Sequence, residues 1–258
     1  MNRESIFKDI ENKRVLITGA SGGIGASMAK LFASYGACVG LHYSSGKEKA
    51  INLLKEIREN SGKAELFQGN LLEQSVRENL VKSFVKTFGG IDILINNAGA
   101  RFEYAHFSEL DEKSWDNSFG LNVKAPFYLS ASAFQYMKEK GGGRIINISS
   151  ITVKYGGSAK TLHYAAPKAA LESLTRGFAR EGAKYNILVN SMRPGIIDTA
   201  IQTKGLKDYT DTQRQERINL VLLKRVGQPI DVARMALFLA SESGNYITGE
   251  IFTVAGGD

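Results

Sequence analysis

The amino-acid sequence predicts one α/β domain: a doubly wound parallel sheet of about seven strands with helices on both faces. Three observations predict it. Short apolar, β-branched runs alternate with helical stretches from residue 13 onward, the alternation that builds parallel sheets from strand–helix–strand units. One run, Ile91-Asp92-Ile93-Leu94-Ile95, is almost wholly apolar, as expected of a strand covered on both faces. The first run, Arg14-Val15-Leu16-Ile17, passes directly into Thr18-Gly19-Ala20-Ser21-Gly22-Gly23-Ile24-Gly25 and then into a helix.

Residues 1–12 read as a short polar extension. After the glycine turn, Met28, Leu31, Phe32 and Tyr35 recur at helical spacing until Gly36 stops the helix. Ala37–Tyr43 is a second strand and 47–60 an exposed helix, followed by a strand over 63–69 and a helix over 73–88. The apolar strand at 91–95 runs into Asn96-Asn97-Ala98-Gly99. Residues 112–138 predict one long helix containing Asn122, with a bend near Pro126. A strand over 144–150 precedes a helix over 163–182, with Pro167 in the first turn, where a missing N–H costs little. The sixth strand, 187–191, ends at Arg193-Pro194-Gly195, and the polar stretch 196–226 breaks the rhythm as a variable substrate lid. A helix carrying Val232, Met235, Ala236, Phe238 and Leu239 leads to a last strand near 250–254. With no repeat, low-complexity stretch or linker, residues 13–258 read as a single domain.

Hydrophobic residues make up 43% and charged residues 23% of 258, a soluble globular composition able to bury a large core. The one cysteine, Cys38, excludes a disulfide within the chain and suits a reducing, cytoplasmic setting. Met1-Asn2-Arg3-Glu4-Ser5 lacks a signal-peptide core, and no apolar run approaches the ~20 residues that span a bilayer. The net charge of +7 is dispersed rather than massed into a stripe. That argues against nucleic acid, and an anionic cofactor or substrate suffices to explain it. No metal is expected.

Two stretches carry chemistry. Glycines 19, 23 and 25 let the backbone turn tightly, and the helix that follows directs its free N–H groups toward the gap, which suits a pyrophosphate. Dinucleotide folds place an Asp or Glu about 20 residues on, where it grips the ribose hydroxyls. Here Tyr43, Ser44 and Ser45 stand instead, with Lys47 just beyond. Without a carboxylate to repel a 2′-phosphate, NADP(H) is preferred and NAD(H) is possible. In the second stretch, Tyr164-Ala165-Ala166-Pro167-Lys168, the phenol and the ammonium share a helix face. A nearby cation favours the ionised form of a group whose pKa is ordinarily ~10. A tyrosine so tuned can exchange a proton with a carbonyl or an alcohol.

The glycine turn, Asn96-Asn97-Ala98-Gly99, Asn122, Ser150, Tyr164-x-x-x-Lys168 and Pro194-Gly195 occur in the order of the short-chain dehydrogenase/reductase family, which the chain resembles from about residue 13 to its end, including Ile247-Thr248-Gly249-Glu250 and Ala255-Gly256-Gly257. The overall likeness is to 3-oxoacyl-carrier-protein reductases and to glucose-dehydrogenase-like members. The resemblance implies a Rossmann-like fold and a nicotinamide-dependent oxidoreductase. It implies Tyr164 as catalytic acid or base, Lys168 lowering its pKa and holding the nicotinamide ribose, Ser150 on the substrate oxygen, and Asn122 supporting a proton relay through water. It also implies cofactor contacts at Gly19, Ser21, Gly23, Ile24, Gly25, Tyr43, Ser44, Ser45, Asn70, Leu71, Asn97, Ala98, Gly99, Tyr164, Lys168, Pro194, Gly195, Ile197 and Thr199.

The sequence departs from the family pattern in places. Ser150 lies fourteen residues before Tyr164, one more than is commonest, and Ser149 is a rival whose strand parity points it to the opposite face. Asn70 stands where many members carry Asp, and Gly22 where many NADP-binding members carry a basic residue. Arg101, Phe102, Lys154, Tyr155 and His163 are candidates to face substrate. The resemblance further implies a homotetramer, in which the helices at 112–138 and 163–182 could pair. The expected activity is NADPH-dependent reduction of a 3-oxoacyl compound or similar ketone. The alternatives are an NAD-dependent alcohol or sugar dehydrogenase, and a nucleotide-sensing module without catalysis.

Overall fold

The computed structural model describes residues 6–199 and 210–258. The apolar runs form seven strands: β1 Arg14–Ile17, β2 Cys38–Tyr43, β3 Lys63–Gln68, β4 Ile93–Asn96, β5 Gly143–Ile148, β6 Ile187–Pro194 and β7 Ile251–Val254. They make one sheet in the order β3-β2-β1-β4-β5-β6-β7, parallel at every pairing. The helices between them are α1 Gly23–Ser34, α2 Lys47–Glu59, α3 Gln74–Phe88, α4 Glu112–Phe119, α5 Ala125–Glu139, α6 Thr152–Tyr155, α7 Leu162–Gly182, α8 Asp211–Asn219 and α9 Pro229–Ala240.

Strand alternation divides the core into two layers. Val15 and Ile17 of β1 face Met28 and Phe32 of α1 and Val232 and Leu239 of α9, all fully or almost fully buried. Leu16, between them in sequence, faces the other layer with Phe84 of α3 and Leu129 and Met137 of α5. At the amino-terminal edge of the sheet, Asp92 accepts from Arg14 Nε at 2.6 Å and pairs with Lys140. The other edge is left for function. Chain order reverses between β1 and β4, and in open parallel sheets the crevice beyond the carboxyl ends at such a switch point is where ligands bind.

Several elements differ from expectation for identifiable reasons. Residues 6–12 dock rather than trail: Ile10 is fully buried, Phe7 meets Tyr35 edge-on at 5.6 Å, and Asn12 N–H donates to Gly36 O at 2.9 Å. The long helix expected over 112–138 is α4 and α5 joined by a π-helical turn, Gly120–Lys124, with Asn122 inside it. Such turns are frequent at functional sites. Pro167 lies beyond the first turn of α7. The N–H it lacks would have paired with the His163 carbonyl, which instead accepts the Ser118 hydroxyl of α4 at 2.7 Å. Between Ser150 and Tyr164 the chain forms the short helix α6, Thr152–Tyr155.

Of the stretch 196–226, residues 200–209, Tyr209 among them, lie outside the described residues. The remainder includes a bridge between Ile197 and Gly227 and helix α8, which opens on a Thr210–Gln213 capping box. Among the described residues no helix is long and apolar enough to cross a membrane, and no cluster of His, Cys, Asp and Glu could hold a metal ion.

Gly25 tests how tightly α1 packs on the crevice. A Cβ there would stand 2.3 Å from Gly19 O and 2.6 Å from Asn97 Nδ2, whereas one at Gly22 would meet nothing within 4 Å. Gly25→Ala is expected to lower unfolding free energy by about 1–3 kcal/mol in urea titration, and Gly22→Ala to lie near wild type. Equal midpoints for the two variants would contradict this packing.

Candidate active site

The glycine turn is held in shape by its neighbours. Gly19 has φ +66°, a left-handed conformation that suits glycine. Thr18 Oγ1 donates to Ile95 O at 3.3 Å and accepts the N–H groups of Asn97 and Ala98, each at 3.0 Å. Asn97 Nδ2 returns hydrogen bonds to Thr18 O at 2.8 Å and Gly19 O at 3.1 Å. Asn97 therefore braces the turn as well as lining the cleft. Behind the turn, His42 Nδ1 accepts Gly19 N–H at 3.3 Å, leaving Nε2 to donate to Gly69 O at 3.1 Å. Burial pushes the His42 pKa down to about 4, so the imidazole is neutral and can act as this acceptor.

With Gly22 as its N-cap, α1 has no side-chain cap and no acidic residue in its first turn. Its first N–H groups and positive dipole end are thus available to an anion. The cleft in front of it measures 1170 Å³, above the roughly 300–1,000 Å³ usual for small-molecule sites. Its walls run from Gly19, Ser21, Gly23 and Ile24 past Ser45 and Lys47 to Asn97, Ala98 and Gly99, then to Ser150, Tyr164 and Lys168, and on to Pro194, Gly195, Ile197 and Thr199. This long trough suits an extended dinucleotide with a substrate beside it.

At one end, the residues singled out for chemistry converge. Tyr164 and Lys168, one turn apart on α7, place Lys168 Nζ 5.7 Å from the Tyr164 ring centroid. Lys168 is 2% exposed and donates to Ile148 O at 2.7 Å; burial lowers its pKa to about 8. Tyr164 is half-buried in the cleft wall, and desolvation pushes its pKa above the usual value against the opposing pull of the Arg101 charge and a hydrogen bond with Ser150. Desolvation dominates both groups, and the groups that favour the phenolate are Arg101 and Ser150. Asn122, fully buried, donates from Nδ2 to Ala100 O at 2.8 Å and Ser118 O at 2.9 Å. Its Oδ1 has no partner among the described residues. That oxygen and Lys168 Nζ flank Gly99, lying 2.8 and 3.0 Å from where its Cβ would be.

Other residues fall elsewhere. The Ser149 hydroxyl donates to Glu172 Oε1 at 2.7 Å, and that carboxylate is held by Arg193 at 2.6 and 2.7 Å. Ser149 thus belongs to a structural ion pair, leaving Ser150 beside Tyr164. Five expected cofactor contacts stand outside the cleft walls. Gly25 packs against Gly19. Tyr43 is 5% exposed, its hydroxyl 3.4 Å from Gln68 on β3. Ser44 is exposed away from the cleft lining. Asn70 Oδ1 accepts Leu72 N–H at 3.1 Å, and Leu71 is buried in the α3–α5 layer. Of the candidates for substrate contact, Arg101 and Tyr155 line the cleft, and Phe102, Lys154 and His163 do not. His163 is buried with Nε2 3.0 Å from Glu103 O. His42, Lys49 and Arg217 had no distinguishing pattern in the sequence, because what marks them is position at the crevice.

The sheet order, the glycine cradle and the Ser150–Tyr164–Lys168 cluster define an oxidoreductase of the dinucleotide-binding α/β class. Residues 13–210 match the family model for short chain dehydrogenase. The chain is 35% identical to the 3-oxoacyl-[acyl-carrier-protein] reductase FabG of Thermotoga maritima, over 96% of this chain and 98% of that one. Among solved structures it is similar to a blue fluorescent protein from a metagenomic library in complex with NADPH (TM-score 0.89, 32% identity, 96% of this chain and 98% of that chain). It is also similar to a short chain dehydrogenase of Burkholderia cenocepacia in complex with NADP (TM-score 0.88, 32% identity, the same coverage). The chain belongs to the short-chain dehydrogenase/reductase family.

The neutral, buried His42 makes a pH prediction. Between the ordinary histidine value of 6.5 and about 4, the unfolded chain takes up a proton that the folded chain does not. Stability therefore falls as pH is lowered through that window, by up to about 3 kcal/mol. Urea midpoints of wild type and His42→Leu at stepped pH should differ in slope there, and parallel curves would rule the assignment out.

Proposed function

We propose that this enzyme reduces a carbonyl, a 3-oxoacyl compound or similar ketone, to an alcohol with NADPH. The observation that carries the reading is the convergence of Ser150, Tyr164, Lys168 and Asn122 at one end of a cleft whose other end is a glycine cradle. The residues present fit a dinucleotide. The uncapped first turn of α1 would take the pyrophosphate, and Lys168 would hold the nicotinamide ribose. When bound, the nicotinamide supplies the hydride that reaches the carbonyl carbon.

The protein's part is the proton and the charge. As negative charge grows on the substrate oxygen, the Ser150 and Tyr164 hydroxyls donate to it, and Tyr164 passes its proton across. The resulting phenolate is favoured by the hydrogen bond from Ser150 and by the Arg101 charge. Lys168, with a pKa lowered to about 8, is able to return a proton near neutral pH. The unpartnered Asn122 Oδ1, facing the same glycine as the ammonium, is suited to hold a relaying water. Run backward, the same steps oxidise an alcohol.

For the cofactor, Lys47 and Lys49 line the cleft where α2 begins, and no carboxylate closes β2, which supports a 2′-phosphate. The relatives in complex with NADP and NADPH support it too. An NAD-dependent reading draws on Glu48 in the same wall and on Gly22. A cytoplasmic homotetramer agrees with the single cysteine and with the exposed aromatic rings of Phe127 and Tyr128 on α5.

Tyr164→Phe should keep the fold and NADPH affinity while turnover falls by about 10²–10⁴, read from NADPH absorbance with a panel of ketones. Substantial residual turnover would remove Tyr164 from the proton step. Lys47→Glu should raise the KM for NADPH by about tenfold, the loss of one charge-assisted contact, with little change for NADH. Equal effects on the two cofactors would place the 2′-phosphate elsewhere.

A further inference from the structure

We propose that the substrate is itself an anion, a carbonyl or hydroxy compound bearing a carboxylate or phosphate, and that Arg217 of α8 is the residue that selects it. The proposal rests on the oxidoreductase reading above and names the substrate class of the same site.

Once the glycine cradle, the start of α2 and the catalytic cluster are assigned, the cleft walls that remain include Arg101, Tyr104, Thr152, Tyr155 and Arg217. Among the described residues the only carboxylate lining the cleft is Glu48, on α2 at the cofactor end. The substrate end thus presents two guanidinium groups and no acidic side chain in its wall. The Arg101 charge bears on the Tyr164 phenolate, which leaves Arg217 to meet the substrate.

Arg217 is built for such a contact. Its Nη2 donates to Asp258 Oδ2 at 2.5 Å, and the Asp258 side chain is only 4% exposed. Asp258 is itself fixed, its carbonyl accepting Lys154 Nζ at 2.8 Å and its Oδ1 lying 3.5 Å from the Tyr155 hydroxyl. One arm of the fork is therefore spoken for. The other, Nη1, is buried and has no acceptor among the described residues. A buried guanidinium nitrogen without an acceptor is unfavourable until something provides one. A carboxylate or phosphate oxygen can accept from that one nitrogen, and its negative charge strengthens the hydrogen bond. Asp258 acts as the positioning residue: it orients Arg217, and it balances the charge at Nη2 while leaving Nη1 to the ligand.

Carboxylate and phosphate share this chemistry, so the test pairs each with a neutral analogue. Acetoacetate is compared with methyl acetoacetate, and hydroxyacetone phosphate with hydroxyacetone, using the full chain and NADPH oxidation. At least one anion should exceed its neutral partner in kcat/KM by about tenfold or more, the effect of a charge-assisted hydrogen bond. Which pair shows the preference identifies the group. In Arg217→Gln that ratio should collapse through KM, and Arg217→Lys should restore part of it. A wild-type ratio near one, or a ratio that Arg217→Gln leaves unmoved, overturns the proposal. Calorimetric binding of the same four probes to the enzyme–NADP⁺ complex keeps the two readings separable. An Arg217-dependent anion preference in binding, without turnover of any probe, supports the anion site and counts against the proposed reduction. No preference in binding defeats the anion site whatever the turnover.

Discussion

The site depends on a clasp between the ends of two strands. β1 and β4 lie side by side, but the chain leaves them in opposite directions, and without cross-bracing the crevice between their loops would have no fixed width. Thr18 and Asn97 supply the bracing. The threonine hydroxyl collects two backbone N–H groups of the β4 loop, and the asparagine amide reaches back to the carbonyls of Thr18 and Gly19. These groups are buried or half-buried, so each bond satisfies a polar atom that has little access to water. The glycine turn, the open end of α1 and the wall carrying Gly99 all take their positions from it.

A second constraint joins the helices that carry the chemistry. Pro167 cannot donate to the carbonyl of His163, and that carbonyl accepts the Ser118 hydroxyl instead. Ser118 O in turn accepts Asn122 Nδ2. An interruption in α7 and a π-helical turn between α4 and α5 are thus linked through one serine. The link turns Asn122 inward, toward the side of Gly99 where Lys168 lies. Helical irregularities of this kind redirect backbone and side-chain polar groups that a regular helix would use up internally.

Electrostatics at the site differs from a simple pair of phenol and ammonium. Lys168 is buried and Tyr164 half-buried, and desolvation disfavours the charged form of each. Desolvation favours the neutral form of Tyr164, and Lys168 loses its proton far more readily than an exposed lysine. Ser150 at the end of β5 and Arg101 beyond β4 both favour the phenolate. The cleft as a whole is positive, in keeping with the chain's net charge of +7 and with the anions it is proposed to hold.

The order of strands and helices, the glycine turn and the pairing of Tyr164 with Lys168 on one helix face were legible in the sequence because each is a local pattern. Period-2 and period-3.6 hydrophobicity report burial directly, glycine reports a turn, and Tyr164 and Lys168 share a face by helical geometry alone. Strand parity alone also separated Ser149 from Ser150. Tertiary structure decided what depends on contacts across the sheet. Spacing singles out Tyr43, Asn70 and Leu71, and only the fold shows that the Tyr43 hydroxyl lies by Gln68 of β3, that Asn70 Oδ1 accepts Leu72 N–H and that Leu71 is buried. His42, an ordinary strand residue in sequence, backs the glycine turn 23 positions away, and Arg217, in the cleft wall, donates to Asp258, 41 positions on. Local periodicity encodes which side of an element faces the core; which partner waits on that side is set by the packing of distant segments, and that packing determines charge, burial and reactivity here.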